Sequence, residues 1–229
     1  MKKILFLGNK DKSDLVLYTA LIMEKSGYKP LIVDTSFDNK YFHAYAECDD
    51  KQTYYDFFGV DIAAASSPKL LESVTGKSEN ELNDYDFILV DIESTASISK
   101  WSGFEHRYYI GNQKKVTLKR DSALLMQFIE KYPDEKEFQK VLFSVYPDLD
   151  EDYLDELIKY KVKWIPDTYD IPYDEFNIVN KINMQFNMKP MFKKVSTDYK
   201  NVLAAIYTDL TGHHEKDMKH ALNQLKRSK

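Results

Sequence analysis

The stretch from Lys3 to Asp34, KILFLGNKDKSDLVLYTALIMEKSGYKPLIVD, decides the fold class of this chain. The apolar runs that end at Gly8 and at Asp34 carry no internal charge, as is typical of strands buried on both faces of a parallel sheet. Between them, a polar loop over residues 9–13 leads into apolar residues at helical spacing, which continue to Gly27. A strand, a polar loop, a helix and a second strand ending in an acid form the setting of a phosphate-binding loop.

Length and composition restrict the class of protein. The chain has 229 residues, which fits one large α/β domain. It contains no run near the ~20 apolar residues that span a membrane, and its short N-terminal apolar run does not resemble a signal peptide. A single cysteine, Cys48, permits no internal disulfide and predicts a cytoplasmic protein. The net charge of -5 argues against indiscriminate binding to nucleic acid.

Later apolar segments predict the rest of the sheet. The run over residues 85–91 ends in Asp91, and further strands are predicted over 107–110, 141–145 and 162–165. Helices are predicted after a cap at Asp121 or Ser122, from Tyr153, and over 198–210. The aromatic segment 37–82 is predicted as an ordered pair of helices. The alternation predicts an α/β fold with a mostly parallel central sheet and helices on both faces.

The loop after the first strand resembles a known phosphate-binding motif. Its spacing, with Gly8 followed by Lys12 and Ser13, is similar to the sequence lysine-glycine-glycine-valine-glycine-lysine-threonine of the MinD/ParA family of P-loop ATPases. In that register Leu7 stands in place of the signature lysine of the family. Asn9 and Asp11 replace two glycines, whereas Lys12 and Ser13 are kept.

The resemblance continues in sequence order along most of the chain. Residues 30–34 resemble the second strand of the family, residues 85–91 its Walker B strand, and residues 115–125 the next strand-to-helix step. Residues 165–167 resemble the isoleucine-proline stretch beside its adenine pocket. The resemblance implies a P-loop NTPase fold that holds ATP or ADP with Mg²⁺, Ser13 and Asp91 serving the metal. The implied nucleotide-binding residues are Gly8, Lys10, Lys12, Ser13, Asp34, Asp91 and Pro166.

Several departures from the family pattern predict a degraded nucleotide site. Asp11 places a negative charge in the loop, and at an effective dielectric constant of about 20 a carboxylate ~4 Å from one phosphate charge costs roughly 4 kcal/mol. Without inner glycines, the loop cannot easily adopt the positive φ angles that aim its N–H groups inward. Ser36 also stands where the family has a second aspartate after Asp34, and a serine cannot serve as that carboxylate.

Purely structural roles remain open for the same residues. Lys12 and Ser13 would then form a solvated loop and a helix cap, and Asp34 and Asp91 would cap helices or form ion pairs. The basic cluster from Lys114 to Arg120 permits a partition-type DNA binder, but a solvated strand edge is the favoured interpretation.

Two further segments are candidates for contacts with partners. The aromatic residues Tyr54, Tyr55, Phe57 and Phe58 are predicted to form a partner surface, with an ordinary core as the alternative. Residues 213–229 form an amphipathic helix after a 1–212 domain, with Met218, Leu222 and Leu225 on its apolar stripe. We expect this helix to pack on the domain or a partner, and peripheral membrane contact is the weaker alternative.

These observations favour a catalytically degraded, cytoplasmic MinD/ParA-like protein that no longer hydrolyses ATP. The resemblance implies a homodimer that serves as a scaffold or adaptor in positioning or assembling a larger machine, such as a secretion, pilus, partition or cell-envelope apparatus. The alternative is a slow ATP-binding switch or ATPase of the same type. Binding of nucleic acid is not expected.

Overall fold

The fold is taken from a computed structural model, which describes residues 1–46, 52–145, 153–213 and 215–227. Cys48, on which the expectation about disulfides rests, lies outside the described residues. The strands are β1 Lys2–Leu7, β2 Pro30–Asp34, β3 Tyr54–Phe57, β4 Val60–Ala64, β5 Phe87–Ile92, β6 His106–Asn112, β7 Glu137–Val145, β8 Lys163–Trp164 and β9 Tyr169–Pro172. The helices are α1 Ser13–Lys25, α2 Lys40–Tyr45, α3 Pro68–Thr75, α4 Glu79–Leu82, α5 Thr95–Ile98, α6 Lys115–Lys131, α7 Tyr153–Leu157, α8 Glu175–Asn187, α9 Thr197–Thr211 and α10 Glu215–Arg227.

A single twisted sheet organises the described part of the chain. Its strand order is β3-β4-β2-β5-β1-β6-β7-β8, and β9 also pairs with β7. All pairs are parallel except β3 with β4. This confirms the predicted α/β fold with a mostly parallel sheet. Because parallel strands end on the same side, the loops after β1, β2, β5, β6 and β7 meet at one carboxyl edge.

Helices cover both faces of the sheet, as predicted. One apolar cluster joins β1, β5 and β6 to α1, α9 and α10, and a second joins the opposite face to α3, α6 and α7. The apolar stripe of α10 lies inside the first cluster, with Met218, Leu222 and Leu225 each at most 5% exposed. The residues that a membrane-bound helix would insert are therefore packed against the domain. None of the helices in the described part of the chain combines the length and the hydropathy that a membrane span requires.

The prediction of a helix pair over residues 37–82 is only partly correct. The segment contains the helices α2, α3 and α4, but the antiparallel hairpin of β3 and β4, which was not predicted, lies between α2 and α3. Phe58 and Gly59 both have positive φ and form the tight turn between the two strands. Gly59 between two apolar runs was the signal for this hairpin, and the density of aromatic residues obscured it.

One further prediction about an element needs correction, and two elements were missed. The helix expected to begin at Asp121 or Ser122 begins at Lys115, so neither residue is its cap and Asp121 lies buried within α6. Neither β9 nor α8 was predicted. By contrast, the predicted helix over 198–210 is present as α9, and Gly212, with φ 70°, is its C-cap.

Gly8 is required where β1 passes into the loop. Its φ is 148°, and a Cβ atom built there would lie 2.0 Å from the carbonyl oxygen of Ile110 on β6. Its N–H donates to the carbonyl of Ile92 on β5 at 3.1 Å, so the backbone is fixed between two neighbouring strands. Any side chain would separate these strands at the carboxyl edge.

We predict that Gly8→Ala destabilises the protein by about 3 kcal/mol or more, because the methyl group meets backbone that cannot give way. Gly27→Ala is the matched control. Gly27 also has a positive φ, 89°, but no atom lies within 4 Å of the added Cβ. Its cost should be roughly 1–2 kcal/mol, from backbone conformation alone. Urea unfolding of the two variants measures the difference, and equal losses of stability would contradict the steric argument.

Candidate functional site

The acidic residues predicted at strand ends meet at the carboxyl edge. Asp34 on β2 and Asp91 on β5 are paired in register, and Phe6 on β1 pairs with Asp91 from the other side. The loop of residues 8–12, which follows β1, therefore lies directly above Asp91. The sheet brings together Gly8, Lys12, Asp34 and Asp91 as the sequence predicted.

Lys12 is turned inward and holds Asp91. Its ammonium Nζ lies 2.6 Å from Asp91 Oδ1, and both side chains have no exposed surface. Nζ also donates to the carbonyl oxygens of Gly8 at 2.7 Å and Ile92 at 3.4 Å. Burial lowers the pKa of Lys12, and the Asp91 carboxylate opposes that shift. Lys12 is therefore a buried side chain that links the loop to β5 through an ion pair and hydrogen bonds, and it is not solvated.

The other oxygen of Asp91 is also occupied. Oδ2 accepts a hydrogen bond from the Tyr41 hydroxyl at 2.8 Å and lies 3.0 Å from the ammonium of Lys40. Lys40 is also paired with Glu93 at 2.6 Å. Burial alone would raise the pKa of Asp91, but Lys12 and Lys40 outweigh burial and lower it. Asp91 is thus an ionised carboxylate enclosed by two cations and a phenol.

Asp34 organises the chain that follows β2. Its Oδ1 accepts from the N–H of Ser36 at 2.8 Å, and its Oδ2 accepts from the N–H of Tyr41 at 3.1 Å. These bonds close the turn and hold the first residues of α2. Burial raises the pKa of Asp34, and the nearby Asp91 carboxylate adds to that shift. In this conformation Asp34 has the structural role that the sequence left open.

A carboxylate that sequence reasoning missed binds the loop from the other side. Asp121 Oδ1 accepts from the backbone N–H of Asn9 at 2.7 Å and from its side-chain Nδ2 at 2.9 Å. Asp121 Oδ2 accepts from the Tyr109 hydroxyl at 2.8 Å. The available signal was an acid on the apolar stripe of α6, three and seven residues before Leu124 and Phe128.

Asp11 occupies the N-terminus of α1. Its Oδ1 accepts from the N–H of Ser13 at 3.1 Å and from the Ser13 hydroxyl at 2.9 Å. Its Oδ2 lies 2.6 Å from the ammonium of Lys181 on α8, which also binds Asp14 at 2.9 Å. Burial would raise the pKa of Asp11, but Lys181 and the bonds to Ser13 lower it. A carboxylate of the chain itself therefore lies where this fold offers donors to an anion.

The loop does not form an open cradle of N–H groups. None of residues 9–13 has a positive φ, and the N–H groups of Asn9 and Ser13 are both bound to carboxylates. The predicted magnesium ligands are likewise engaged. The Ser13 hydroxyl contacts Asp11 and, at 3.3 Å, the Tyr45 hydroxyl, whereas Asp91 is enclosed by cations. Residues arranged in this way do not fit a divalent cation, since Lys12 and Lys40 would repel it.

Among the described residues, no group of three or more histidine, cysteine, aspartate or glutamate side chains could hold a metal ion.

A cavity of about 620 Å³ adjoins the loop at the same edge. It lies between the ends of β6 and β7 and helix α8, and Lys10 forms part of its wall. The Lys10 ammonium lies 5.0 Å from the centre of the Phe143 ring, and burial together with Lys181 lowers its pKa. The rest of its lining combines amides and apolar side chains with three acids and two further lysines: Asn112, Gln113, Tyr173, Ile178, Ile182, Asp11, Asp14, Asp174, Lys114 and Lys181.

Pro166 does not join the other predicted residues. It lines a separate cavity of about 410 Å³ with His106 and Glu137, the first residues of β6 and β7, at the opposite edge of the sheet. A second isoleucine-proline pair, Ile171–Pro172, ends β9 beside the carboxyl end of β7 and leads to Tyr173 in the wall of the larger cavity. The structure thus places Pro166 apart from the other predicted nucleotide-binding residues, whereas Ile171–Pro172 lies at the same edge of the sheet as they do.

The four aromatic residues predicted as a partner surface have different environments. Phe57 is buried, Tyr54 and Tyr55 are half-buried, and Phe58 is 37% exposed. The Tyr55 hydroxyl donates to the carbonyl of Tyr41, and the Tyr54 hydroxyl contacts that of Tyr85. Phe57 therefore belongs to the core. A partner contact at Phe58 and the two tyrosines stays a prediction.

We predict that Lys12→Met destabilises the protein by about 3–5 kcal/mol, because it leaves a buried carboxylate without its closest cation. The double variant Lys12→Met with Asp91→Leu should recover most of that loss, since neither charge then remains uncompensated. The control is Lys163→Met, which breaks the Lys163–Glu137 pair of similar length, 2.7 Å, but with side chains 69% and 51% exposed. Its cost should stay below about 1 kcal/mol. Urea unfolding measures all three, and similar values for both single variants would refute the assignment.

No family model matches the sequence, and no curated protein matches it. Solved structures do share its fold. A chain of the MinC–MinD cell division complex of Aquifex aeolicus superposes with a TM-score of 0.62 at 14% identity, over 93% of this chain and 97% of its own. The cell division ATPase MinD of Pyrococcus furiosus superposes with a TM-score of 0.53 at 14% identity, over 98% of this chain and 99% of its own. A ParA family ATPase from Chlorobium tepidum superposes with a TM-score of 0.50 at 11% identity, over 99% of each chain. The chain therefore has the fold of the MinD and ParA ATPases, as its sequence motifs indicated.

Proposed function

We propose that this protein is a catalytically degraded relative of the MinD and ParA ATPases, which acts as a scaffold or adaptor and does not hydrolyse ATP. The observation that supports the proposal most directly is the position of Asp11. Its carboxylate binds the N–H and hydroxyl of Ser13 at the N-terminus of α1, where a phosphate would need those donors. Asp121 takes the N–H of Asn9 in the same way. Two N–H groups of the loop are thus bound by carboxylates of the chain itself.

The ion pairs around the loop strengthen this interpretation. For Lys12 to reach a phosphate, it would have to leave Asp91 as a buried carboxylate with Lys40 as its remaining cation. For Asp91 to support Mg²⁺, it would have to release both lysines. Each change breaks a buried charge pair, which is expensive in free energy. An incoming polyphosphate would also meet the charge of Asp11, which Lys181 holds in place.

A scaffold or adaptor role is supported by a fold that is kept while Lys12, Asp91 and Asp11 are paired with other residues of the chain. One of the superposed chains comes from a complex between MinC and MinD, so this fold can present a surface to another protein. By analogy, we assign this chain a protein partner within a larger assembly in the cytoplasm. The acidic net charge is the reason for preferring a protein to nucleic acid.

One observation favours a second candidate, an ATP-binding switch. The cavity of about 620 Å³ lies beside the loop and offers amides and an aromatic ring, as a nucleoside would require. In that case the loop would have to open by releasing Lys12 and Asp11 from their partners.

We predict that the wild-type protein shows no heat of binding and no thermal stabilisation with millimolar ATP and Mg²⁺. Asp11→Asn should bind ATP measurably and at least about tenfold more tightly than Asp14→Asn, because it removes the charge that faces a phosphate. Asp14→Asn is the matched control, since it also removes an acid that holds Lys181 but one that does not bind the loop N–H groups.

Calorimetric titration of the three proteins, together with Lys12→Ala, decides between the two candidates. Micromolar binding by the wild type, with ATP turnover that is lost in Lys12→Ala, would overturn the pseudo-ATPase proposal and establish the ATP-binding switch. Equal affinities of Asp11→Asn and Asp14→Asn would contradict the assigned role of Asp11.

A further inference from the structure

The cavity of about 410 Å³ lies at the amino edge of the sheet, away from the loop after β1. The first residues of β6 and β7 line it, together with the chain between β8 and β9 and the C-terminal part of α9. Tyr108 and Gln139 are neighbours in the register of β6 and β7, so their side chains lie on the same face of the sheet. Polar groups therefore line a hollow between the sheet and a helix, where apolar side chains are usual.

Gln139 presents an unsatisfied acceptor in this cavity. The residue is 3% exposed, and its Nε2 donates to the carbonyl oxygens of Asp167 at 2.6 Å and of Lys140 at 3.4 Å. Because the nitrogen must be the atom that faces two carbonyls, the remaining atom of the amide is Oε1, to which no described residue donates. A buried amide oxygen without a donor is rare in folded proteins, so this oxygen calls for a donor from outside the chain.

Asp209 on α9 presents a second acceptor. Its Oδ2 accepts hydrogen bonds from the hydroxyls of Tyr108 at 3.2 Å and of Tyr169 at 2.9 Å. Partial burial raises the pKa of Asp209, and the two phenols and the His106 ring only oppose that shift. Within the part of the chain that the structure describes, no lysine or arginine forms an ion pair with this carboxylate. A cation placed beside its free Oδ1 would stabilise the ionised form.

The charged groups of the lining select a cation. Arg107 is the one lysine or arginine among the lining residues, and it is paired with Glu135 at 3.3 Å. The imidazole of His106 adds little positive charge, because burial lowers its pKa. The acids of the lining are Glu105, Glu137, Asp167 and Asp209. An anion would be repelled by these acids, whereas a donor with a positive charge would be attracted.

We propose that this cavity binds the ammonium group of a primary alkylamine. An ammonium has three N–H donors, and the lining supplies three acceptors: Oε1 of Gln139, Oδ1 of Asp209 and a ring nitrogen of neutral His106. Its charge compensates Asp209 through a charge-assisted hydrogen bond. Ile165 and Pro166, which are exposed in the same lining, offer apolar contact to the alkyl chain.

A metal ion is a poorer match, since the described residues contain no group of three or more side chains that could hold one. Two sources can supply an alkylammonium group: a free diamine or polyamine, and a lysine side chain of a partner protein. The chemistry of recognition is the same for both, and the probes below distinguish them. The site goes beyond the proposed function and is separate from the loop after β1. Every measurement is made without nucleotide, so its failure leaves the pseudo-ATPase proposal unaffected.

Calorimetric titration of the full chain with diaminobutane tests the site. We expect a Kd below about 1 mM, and no binding of butanediol, which has the same carbon chain but no charge. Asp209→Asn should weaken the binding at least about tenfold, because it removes the charge and keeps an oxygen for the two phenols. Gln139→Leu should weaken it about threefold to tenfold, since one acceptor is lost. Asp198→Asn is the matched control, because it makes the same charge change at the other end of α9, and it should bind like the wild type.

Titration with N-acetyl-lysine amide identifies the source of the ammonium group. Binding at least as tight as that of diaminobutane would assign the site to a lysine of a partner protein, and weaker binding would assign it to a free amine. In either case, amide NMR shifts should centre on Tyr108, Gln139 and Asp209 and leave Lys12 unchanged. Circular dichroism verifies folding, and Gln139→Leu with the NMR shifts carries the test if Asp209→Asn does not fold. The proposal is overturned if neither amine binds at tens of millimolar, if butanediol binds equally well, or if the variants at both positions bind like the wild type.

Discussion

The buried ion pair between Lys12 and Asp91 is the interaction on which the rest of the carboxyl edge depends. It joins the loop after β1 to β5, and through Tyr41 and Lys40 it extends to α2. Two charges without solvent access are stable only if further polar groups satisfy them. The carbonyls of Gly8 and Ile92 do so for the lysine, and the hydroxyl of Tyr41 does so for the carboxylate.

Other acids near this ion pair are also bound by cations or hydrogen-bond donors of the chain. Asp11 is balanced by Lys181 and by the donors of Ser13, whereas Asp121 is bound by Asn9 and Tyr109. The N–H groups of Asn9 and Ser13 are therefore bound to carboxylates of the chain. Under the proposed function, a ligand with phosphate groups would have to displace Asp121 and Asp11 to reach these two donors. Displacement of an intramolecular partner is costly, because that partner is held close at no loss of translational freedom.

Lys181 connects this closed site to the outer surface. It fixes α8 to the start of α1 through two ion pairs, so the inward face of the helix is polar and its apolar residues remain outside. The arrangement combines a rigid, internally satisfied edge with exposed apolar side chains. Both features support the proposed role as a scaffold or adaptor.

The sequence by itself determined β1, β2 and β5 and the acids at their ends, because strands buried on both faces read as unbroken apolar runs. It also determined α9 and its Gly212 cap, since helical spacing and a stop residue are local signals. The tertiary structure alone decided what those acids do. Asp121 reaches Asn9 across 112 positions and Lys181 reaches Asp11 across 170, and no local pattern encodes such pairs. It also decided which isoleucine-proline pair lies at the carboxyl edge, because that depends on the pairing of β8 and β9 with β7. Periodicity reports which residues are buried, but the partner of a buried charge is set by how distant segments pack.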